Sequence, residues 1–377
     1  MRVAFVTVGD TDRLTGGYLY HAQLFARLRE RGVIVEEVVP CKASPREQEE
    51  AVSHLGLVLN SRRFDVIVVD ALARIVCAPH LDRWREVRPV VAMVHELPSV
   101  AAPDGASDRE REFEEPLLRA DRLIAVSDHG KSILERRGVP AARIRVVPPG
   151  FDRLPFESGT SSPVRDRVVR ALCVAQWIPR KGILELARAW TLHERSGAVL
   201  EFVGETDADP AYADRVRAVL AGASGASTIV VSGPVDDATL GFAYAAADLF
   251  VLPSRYEGYG IVYAEALARG LPVIACDAGP VPELVGDEAA LLVPPDDVEA
   301  LSGALDLLLG DAALRRRMSA AASRRAGELP VGKMRPTVSC ASCERQRHSG
   351  PGSGRCRIYR WTTGTFDSRI VSPGTRW

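Results

Sequence analysis

Residues 248–277, DLFVLPSRYEGYGIVYAEALARGLPVIACD, contain the pattern that decides the fold. Two short apolar runs, DLFVLPS and LPVIACD, flank the helical stretch IVYAEALARG. Buried parallel strands joined by crossover helices show this alternation, because helices cover both faces of such a sheet. The segment therefore predicts one strand–helix–strand unit of a parallel sheet.

The same alternation occupies two long parts of the chain. The first 150 residues include the runs RVAFVTV, FDVIVVDAL, PVVAMVH and DRLIAVS, and a second series begins with RALCVAQ. Residues 151–165, between the two series, are rich in Pro, Gly and Ser, which is typical of a linker. A single core stops growing near ~250 to 300 residues, and this chain is longer. The sequence therefore predicts an α/β protein with domains at residues 1–150 and 166–329.

Charge and composition exclude several classes of partner. The 48 Lys and Arg residues balance the 49 Asp and Glu residues, so the chain has no general attraction for nucleic acid or an anionic membrane. The apolar run at the N-terminus is shorter than a signal peptide requires, and no run reaches the ~18 residues of a membrane span. Four cysteines stand singly, as reduced thiols do: Cys41, Cys77, Cys173 and Cys276. We expect a cytoplasmic protein with no integral membrane segment and no nucleic-acid partner; peripheral membrane contact stays open.

The composition changes abruptly after Leu329. Residues 330–377 contain nine Lys and Arg, two acidic residues and no Leu, and they show no helical or strand periodicity. Their cysteines and His348 have the residue types of a zinc site, but the spacing matches no common structural site, so we expect no metal there. Two interpretations stay open for this atypical tail: a disordered segment, or a reading frame that shifted near Leu329.

The candidate site begins with two carboxylates around the glycines of the quoted segment. Glu257 follows an apolar strand, at the carboxyl end where open parallel sheets bind ligands. Gly258 and Gly260 free the backbone at the start of the next helix, whose exposed amides suit an anion. Glu265 is expected in the second turn of that helix. A carboxylate accepts hydrogen bonds from two hydroxyls, so this layout favours a ligand with phosphate between two sugars over a pair of solvated acids.

A basic pair follows another predicted strand end. Arg180 and Lys181 lie between the strand RALCVAQ and a helix. Cations at a helix N-terminus oppose the helix dipole unless an anion compensates them. They therefore indicate a diphosphate site, in which they would stabilise the charge of a leaving group.

The first domain offers weaker candidates. Gly16 and Gly17 join the first strand to the first helix, but their spacing is not a dinucleotide fingerprint. His95 ends an apolar strand and is a candidate donor to a sugar hydroxyl or phosphate, although a lone histidine is as often structural. Ser127 is expected mainly as a helix cap.

Together these residues resemble the family 4 retaining glycosyltransferases, enzymes with two facing Rossmann-like domains in the GT-B architecture. Glu257 and Glu265 match the family's ExxxxxxxE motif, and residues 120–152 and 276–311 read like family segments from end to end. The resemblance covers about residues 1–327. It departs at Gln176, where many members have the arginine of VGRxxxRKG, and after Leu329, where members usually carry a helix that crosses back onto the first domain.

The resemblance implies transfer of a sugar from a nucleotide-diphosphate donor to an acceptor hydroxyl, with retention at the anomeric carbon and generally without a metal or other cofactor. Glu265 would hold the donor ribose, Glu257 the hydroxyls of the donor sugar, and His95 would face that sugar. The diphosphate would contact the basic pair, the glycine pair of the first domain and the amides of residues 258–261. The implied catalytic residues are His95, Glu257, Arg180 and Lys181. The implied donor-binding residues are Gly16, Gly17, Gln176, Arg180, Lys181, Glu257, Gly258, Tyr259, Gly260, Ile261 and Glu265.

Three other functions stay open. A nucleotide-sugar epimerase uses the same scaffold but needs a base at the sugar ring. A glycosidase needs two acids flanking a bond, without a nucleotide cradle. A catalytically impaired nucleotide-sugar-binding protein would result if the altered C-terminus prevented the domains from closing.

Overall fold

The computed structural model describes residues 1–11, 15–101, 108–150, 168–222 and 229–329. The predicted linker at residues 151–165 and the tail at residues 330–377 lie outside these ranges. Within the described ranges, no helix is both long and apolar enough to cross a membrane.

Each domain is built on one six-stranded parallel sheet. The strands of the N-terminal domain are β1 (Arg2–Val6), β2 (Ile34–Val38), β3 (Val66–Asp70), β4 (Val90–Val94), β5 (Arg122–Ala125) and β6 (Ile144–Val146). Those of the C-terminal domain are β7 (Val169–Val174), β8 (Ala198–Val203), β9 (Ile229–Gly233), β10 (Leu249–Leu252), β11 (Val273–Cys276) and β12 (Ala290–Val293). All adjacent pairs are parallel. The predicted fold class, an α/β protein with two parallel-sheet domains, is confirmed.

Helices cover the faces of both sheets. The N-terminal domain contains α1 (Gly16–Glu30), α2 (Pro45–Ser61), α3 (Arg74–Cys77), α4 (Leu81–Val87), α5 (Pro98–Ala101), α6 (Asp108–Leu118) and α7 (Asp128–Arg136). The C-terminal domain contains α8 (Ile183–Thr191), α9 (Pro210–Ala221), α10 (Asp237–Ala246), α11 (Ile261–Ala268), α12 (Val281–Val285), α13 (Val298–Gly310) and α14 (Ala312–Glu328). Strands such as β3 and β4 are buried along their whole length, as a sheet covered on both faces requires.

Strand order determines where a ligand can bind. The order is β2-β1-β3-β4-β5-β6 in the first sheet and β12-β11-β10-β7-β8-β9 in the second. In each sheet, the direction in which successive strands are added reverses at one point. This point lies between β1 and β3 in the first sheet and between β7 and β10 in the second. Loops leave the carboxyl ends of the strands on opposite sides of such a switch point, which opens a crevice. The site residues predicted in the C-terminal domain follow β7 and β10. Both groups therefore lie at the second switch point.

The loop between β10 and α11 connects the hydrophobic cores of the two domains. Tyr259 packs against both the main core of the C-terminal domain and a core of the N-terminal domain. Tyr256 packs against the other N-terminal core. The side chain of Ser127, the N-cap of α7, donates to the carbonyl oxygen of Gly258 at 2.8 Å. This loop therefore belongs structurally to both domains.

The last described helix stays on the C-terminal domain. Helix α14 packs against α11, and Arg325 donates to the carbonyl oxygens of Glu283 and Leu284 in α12. The preceding helix, α13, is capped by Asp297, which accepts from the amide of Ala300 at 2.8 Å. The crossing helix expected from the resemblance would follow these residues, outside the described ranges.

Candidate functional site

A cavity of about 370 Å³ lies between the domains at the carboxyl ends of their strands. The N-terminal domain contributes Thr15, Gly16 and Leu19 to its wall. The C-terminal domain contributes loops after β7, β8 and β9 and the first residues of α11. Four predicted donor-binding residues line it: Gly16, Gln176, Lys181 and Ile261.

Of the two predicted glycines in the first domain, Gly16 lines this cavity and Gly17 does not. A Cβ atom on Gly16 would lie 3.4 Å from Cδ1 of Ile261, across the crevice, so the two domains come close at this point. Gly17 does not line the cavity, and a Cβ there would meet no atom of the described residues within 4 Å. Gly16 therefore lies where the two domains touch, whereas Gly17 does not.

The two predicted cations converge on the predicted carboxylate. Lys181 Nζ donates to Oε1 of Glu257 at 2.6 Å, and Arg180 Nη1 lies 3.7 Å from its Oε2. Glu257 is 7% exposed. Burial alone would raise the pKa of Glu257, but the Lys181 and Arg180 cations outweigh burial and hold that pKa below its ordinary value. The carboxylate is therefore ionised and would accept, not donate, hydrogen bonds at neutral pH.

Arg180 also reaches the opposite domain. Its Nη1 donates to the carbonyl oxygen of Tyr256 at 2.7 Å and lies 3.5 Å from Oε2 of Glu96, which follows β4. Glu96, Arg180, Glu257 and Lys181 therefore form a charged chain of alternating sign across the crevice.

The two glycines after Glu257 have different structural requirements. Gly260 has a φ of +96° and caps α11, a conformation that favours glycine. Gly258 does not need positive φ, but a Cβ on it would come within 2.1 Å of the carbonyl oxygen of His95. Tyr259, between them, has a buried hydroxyl without a hydrogen-bond partner among the described residues, and burial raises its pKa to about 12. The absence of a side chain at Gly258 thus allows the two domains to touch at this loop. The spacing of the sequence motif did not predict this contact.

Glu265 occupies the second turn of α11, as predicted. It is fully buried, and the hydroxyl of Tyr244 donates to its Oε2 at 3.0 Å. It is not among the residues that line the cavity, whereas Ile261 and Val262, one turn earlier, are. The helix therefore places this carboxylate behind the cavity wall.

Gln176 lines the cavity at the end of β7. Its Nε2 donates to Oε2 of Glu205, at the end of β8, at 2.5 Å. The side-chain amide of Gln176 thus binds one carboxylate oxygen of Glu205, which also lines the cavity.

His95 belongs to a buried polar cluster in the N-terminal domain. Its Nε2 lies 2.7 Å from Nε2 of His21, which in turn lies 3.8 Å from Oδ2 of Asp70. One ligand atom of each of these three residues lies within 4.8 Å of the others, so they are the residues to consider for a metal ion. Burial lowers the pKa of both histidines, that of His21 to about 4.

The residues near the site that were not predicted include His21, Asp70, Glu96 and Glu205. Asp70 is the last residue of buried strand β3 and Glu96 follows buried strand β4, and a carboxylate at a strand end is the signal that identified Glu257. Glu205 follows β8 in the same way. His21 lies inside α1, where a histidine on a buried helix face has no distinguishing pattern.

Solved structures define the class of fold. Sucrose-phosphate synthase from Thermosynechococcus elongatus has a TM-score of 0.74 and 23% identity, with 87% of this chain and 94% of that chain covered. The Anabaena protein Alr3699/HepE, in complex with UDP and glucose, has a TM-score of 0.68 and 20% identity, with 87% and 95% covered. The chain therefore has the GT-B fold of two facing Rossmann-like domains.

Sequence comparison identifies the family within that class. The model described as Glycosyltransferase Family 4 matches residues 6–153, and the model described as Glycosyl transferases group 1 matches residues 161–325. The chain belongs to the family 4 glycosyltransferases, as the resemblance predicted.

Two curated relatives are similar over part of their length. A D-inositol 3-phosphate glycosyltransferase of Nocardia farcinica is 30% identical over 260 residues, which cover 63% of this chain and 56% of that protein. The MMP alpha-(1->4)-mannosyltransferase of Mycolicibacterium hassiacum is 34% identical over 212 residues, which cover 55% and 50%. The match thus spans only about half the length of these two relatives.

Proposed function

We propose that the protein transfers a sugar from a nucleotide-diphosphate donor to a hydroxyl of an acceptor, with retention at the anomeric carbon and without a metal ion. One observation carries the proposal: Arg180, Lys181 and Glu257 converge at the switch point of the second sheet, beside a cavity walled by both domains. Fixed cations beside a helix N-terminus suit a diphosphate, and a carboxylate suits vicinal hydroxyls.

The ion pairs suggest how the site changes when a donor binds. Glu257 pairs with both Lys181 and Arg180, and Glu96 pairs with Arg180. A diphosphate would take over these cations, together with the amides of residues 258–261. Glu257 would then accept hydrogen bonds from the sugar, and Glu265, which lies behind the cavity wall, would hold the ribose once that wall has opened.

The reaction itself requires no proton transfer to either glutamate. The acceptor oxygen forms a bond to the anomeric carbon on the face from which the diphosphate departs. The bond between that carbon and the diphosphate oxygen breaks, and the departing phosphate takes the proton of the acceptor hydroxyl. Arg180 and Lys181 would stabilise the charge that develops on the leaving group.

The comparisons support the choice of donor and suggest acceptors to test. HepE has been solved with UDP and glucose, which supports a nucleotide-sugar donor. The names of the two curated relatives specify inositol 3-phosphate glycosylation and mannosyl transfer. Inositol phosphates are therefore the first acceptors to screen, and mannose is one of the first donor sugars.

A thermal-shift screen against UDP, GDP and ADP sugars tests the proposal first. A matching donor binds the folded state and should raise the melting temperature in a concentration-dependent way. Transfer to acceptors should then be followed by NMR of the anomeric proton, with and without a chelator. Failure of every donor to bind, an inverted product, or loss of activity on chelation would contradict the respective part of the proposal. Incubation with donor alone provides the control for epimerisation.

A further inference from the structure

The cluster behind His95 has a feature that the proposed transfer does not require. His21 is almost fully buried in α1, and its ring is held edge-on by Phe5, with the two ring centroids 4.6 Å apart. Its Nε2 lies between Nε2 of His95, at 2.7 Å, and Oδ2 of Asp70, at 3.8 Å. Its Nδ1 is buried and has no hydrogen-bond partner among the residues that the structure describes.

Asp70 is fixed by donors other than histidine. Thr7 Oγ1 donates to its Oδ2 at 2.7 Å, and the amide of Leu72 donates to its Oδ1 at 3.0 Å. The carboxylate is fully buried at the end of β3. It therefore presents a fixed acceptor, with negative charge, towards Nε2 of His21.

A hydrogen bond explains the contact between the histidines better than a shared metal ion. Two nitrogen ligands of a tetrahedral zinc ion lie about 3.3 Å apart, since each is about 2.0 Å from the metal. The observed separation of 2.7 Å is shorter and matches a short hydrogen bond. Burial keeps both imidazoles neutral at neutral pH, so one nitrogen of this pair donates and the other accepts.

Two observations decide which nitrogen carries the proton. A lone pair on Nε2 of His21 would lie 3.8 Å from the carboxylate oxygen Oδ2 of Asp70, which is unfavourable, whereas an N–H on that nitrogen is favourable. If the proton were on Nδ1 of His21 instead, a buried N–H would lack an acceptor, and orphaned N–H groups are rarer than orphaned acceptors. His21 therefore donates from Nε2 to Nε2 of His95, and neutral His95 must carry its proton on Nδ1.

We propose that His21, whose Nε2 lies 3.8 Å from the carboxylate of Asp70, is a positioning residue that fixes His95 in the tautomer with the proton on Nδ1. His95 is then a hydrogen-bond donor through Nδ1 and has no free basic nitrogen. Its use towards the donor sugar or the departing phosphate rests on the proposed function. The tautomer itself does not.

Long-range ¹H–¹⁵N correlation spectra of the full-length protein, labelled at histidine, test the tautomer at neutral pH. The signal of His95 is assigned by its loss in His95→Gln, and the exposed residue His54 in His54→Gln provides the control. We expect His95 to be protonated at Nδ1 and unprotonated at Nε2 in the wild type. Asp70→Asn and His21→Phe should each give a mixture of tautomers. Protonation at Nε2 in the wild type, or an unchanged spectrum in both variants, would overturn the assignment. So would a joint shift of both histidine signals on addition of one equivalent of Zn²⁺.

Kinetics test the consequence for transfer. A wrong tautomer can disable a catalytic histidine by up to about 10⁴-fold in kcat. We expect His21→Phe to lower kcat by at least about tenfold with little change in the donor KM, because the donor cradle lies in the other domain. An effect on KM alone would overturn the positioning role. If no donor supports transfer, the proposed function fails, whereas the spectra still decide the tautomer.

Discussion

Glu257 places one buried carboxylate beside both cations of the site, Lys181 and Arg180. Its place after an apolar strand predicts a site residue, and the structure brings it together with Arg180 and Lys181. Their pairing was not predicted, because 76 residues separate Lys181 from Glu257 and only the parallel order of β7 and β10 makes them neighbours. His21 was missed for the same reason, since its partners come from β3 and β4.

The Lys181–Glu257 pair predicts non-additive effects on stability. Removing one partner of a buried ion pair leaves a buried charge and costs about 3 to 5 kcal/mol. Lys181→Met and Glu257→Gln should each lower the free energy of unfolding, whereas the double variant should be less destabilised than the sum. Urea unfolding of the four proteins measures this coupling. Simple additivity would show that the pair is solvated in solution.

Substitution of Glu265 tests its role in donor binding. Glu265→Gln keeps an acceptor for Tyr244 but removes the charge that would bind the ribose hydroxyls. Hydrogen bonds to a charged group contribute about 1.5 to 3 kcal/mol, so the donor Kd should rise about 10- to 100-fold. Calorimetric titration measures it, with the exposed Glu288→Gln as the matched control. Equal affinity of both variants would exclude Glu265 from the donor site.

The buried histidines predict a pH dependence of stability. The pKa of His21 is about 4 in the folded protein and near 6.5 when unfolded, so the unfolded chain binds the proton first. Stability is complete above pH 6.5 and should decrease by up to about 1.4 kcal/mol per pH unit as pH falls from 6.5 towards 4. His95 acts in the same direction. The urea midpoint should depend less steeply on pH in His21→Phe than in the wild type. An equal dependence on pH in both proteins would refute the explanation.

At the scale of elements, the loop between β10 and α11 is where the two domains meet. The alternation of residues 248–277 predicted β10, α11 and β11, because strand and helix periods differ over such a length. It did not predict that residues 256–259 would pack on the N-terminal domain. Contacts between domains depend on the distant residues His95 and Ser127, about which local periodicity carries no information.

Gly258→Ala tests this contact. The added Cβ would lie 2.1 Å from the backbone oxygen of His95, which cannot rotate away as a side chain does. We expect the variant to fold, with both cores intact, but to lose most of its transfer activity because the domains are displaced. Gly303→Ala in α13 is the matched control, since its Cβ would meet nothing within 4 Å. Full activity of Gly258→Ala would show that the contact is dispensable.

At the scale of the whole molecule, the sequence predicted two α/β domains because buried parallel strands are continuous apolar runs. Strand order was not predicted, since periodicity identifies strands but not their neighbours. The order places β7 beside β10 and thereby assembles the site. The linker at residues 151–165, the tail and its alternatives lie outside the described ranges, so those expectations stay predictions.

The charged chain across the crevice also determines the electrostatic field that an approaching ligand meets. Glu96 and Glu257 carry two negative charges, and Arg180 and Lys181 two positive charges. Three further acids line the cavity: Glu205, Asp207 and Asp237. With a net charge of −1 for the whole chain, neither the site nor the protein attracts an anion over long range.

An anionic donor is therefore expected to reach this site by unassisted diffusion. Electrostatically steered association slows steeply as salt is added, because counter-ions screen the attraction within about 10 Å at 0.1 M. Here the association rate constant should stay level or increase with ionic strength in stopped-flow measurements. A steep decrease would show that the glutamates do not offset the cations before the donor arrives. If the association rate constant stays level or increases, selectivity for the donor depends on the dissociation rate constant of the bound molecule. It does not depend on how often a donor reaches the site.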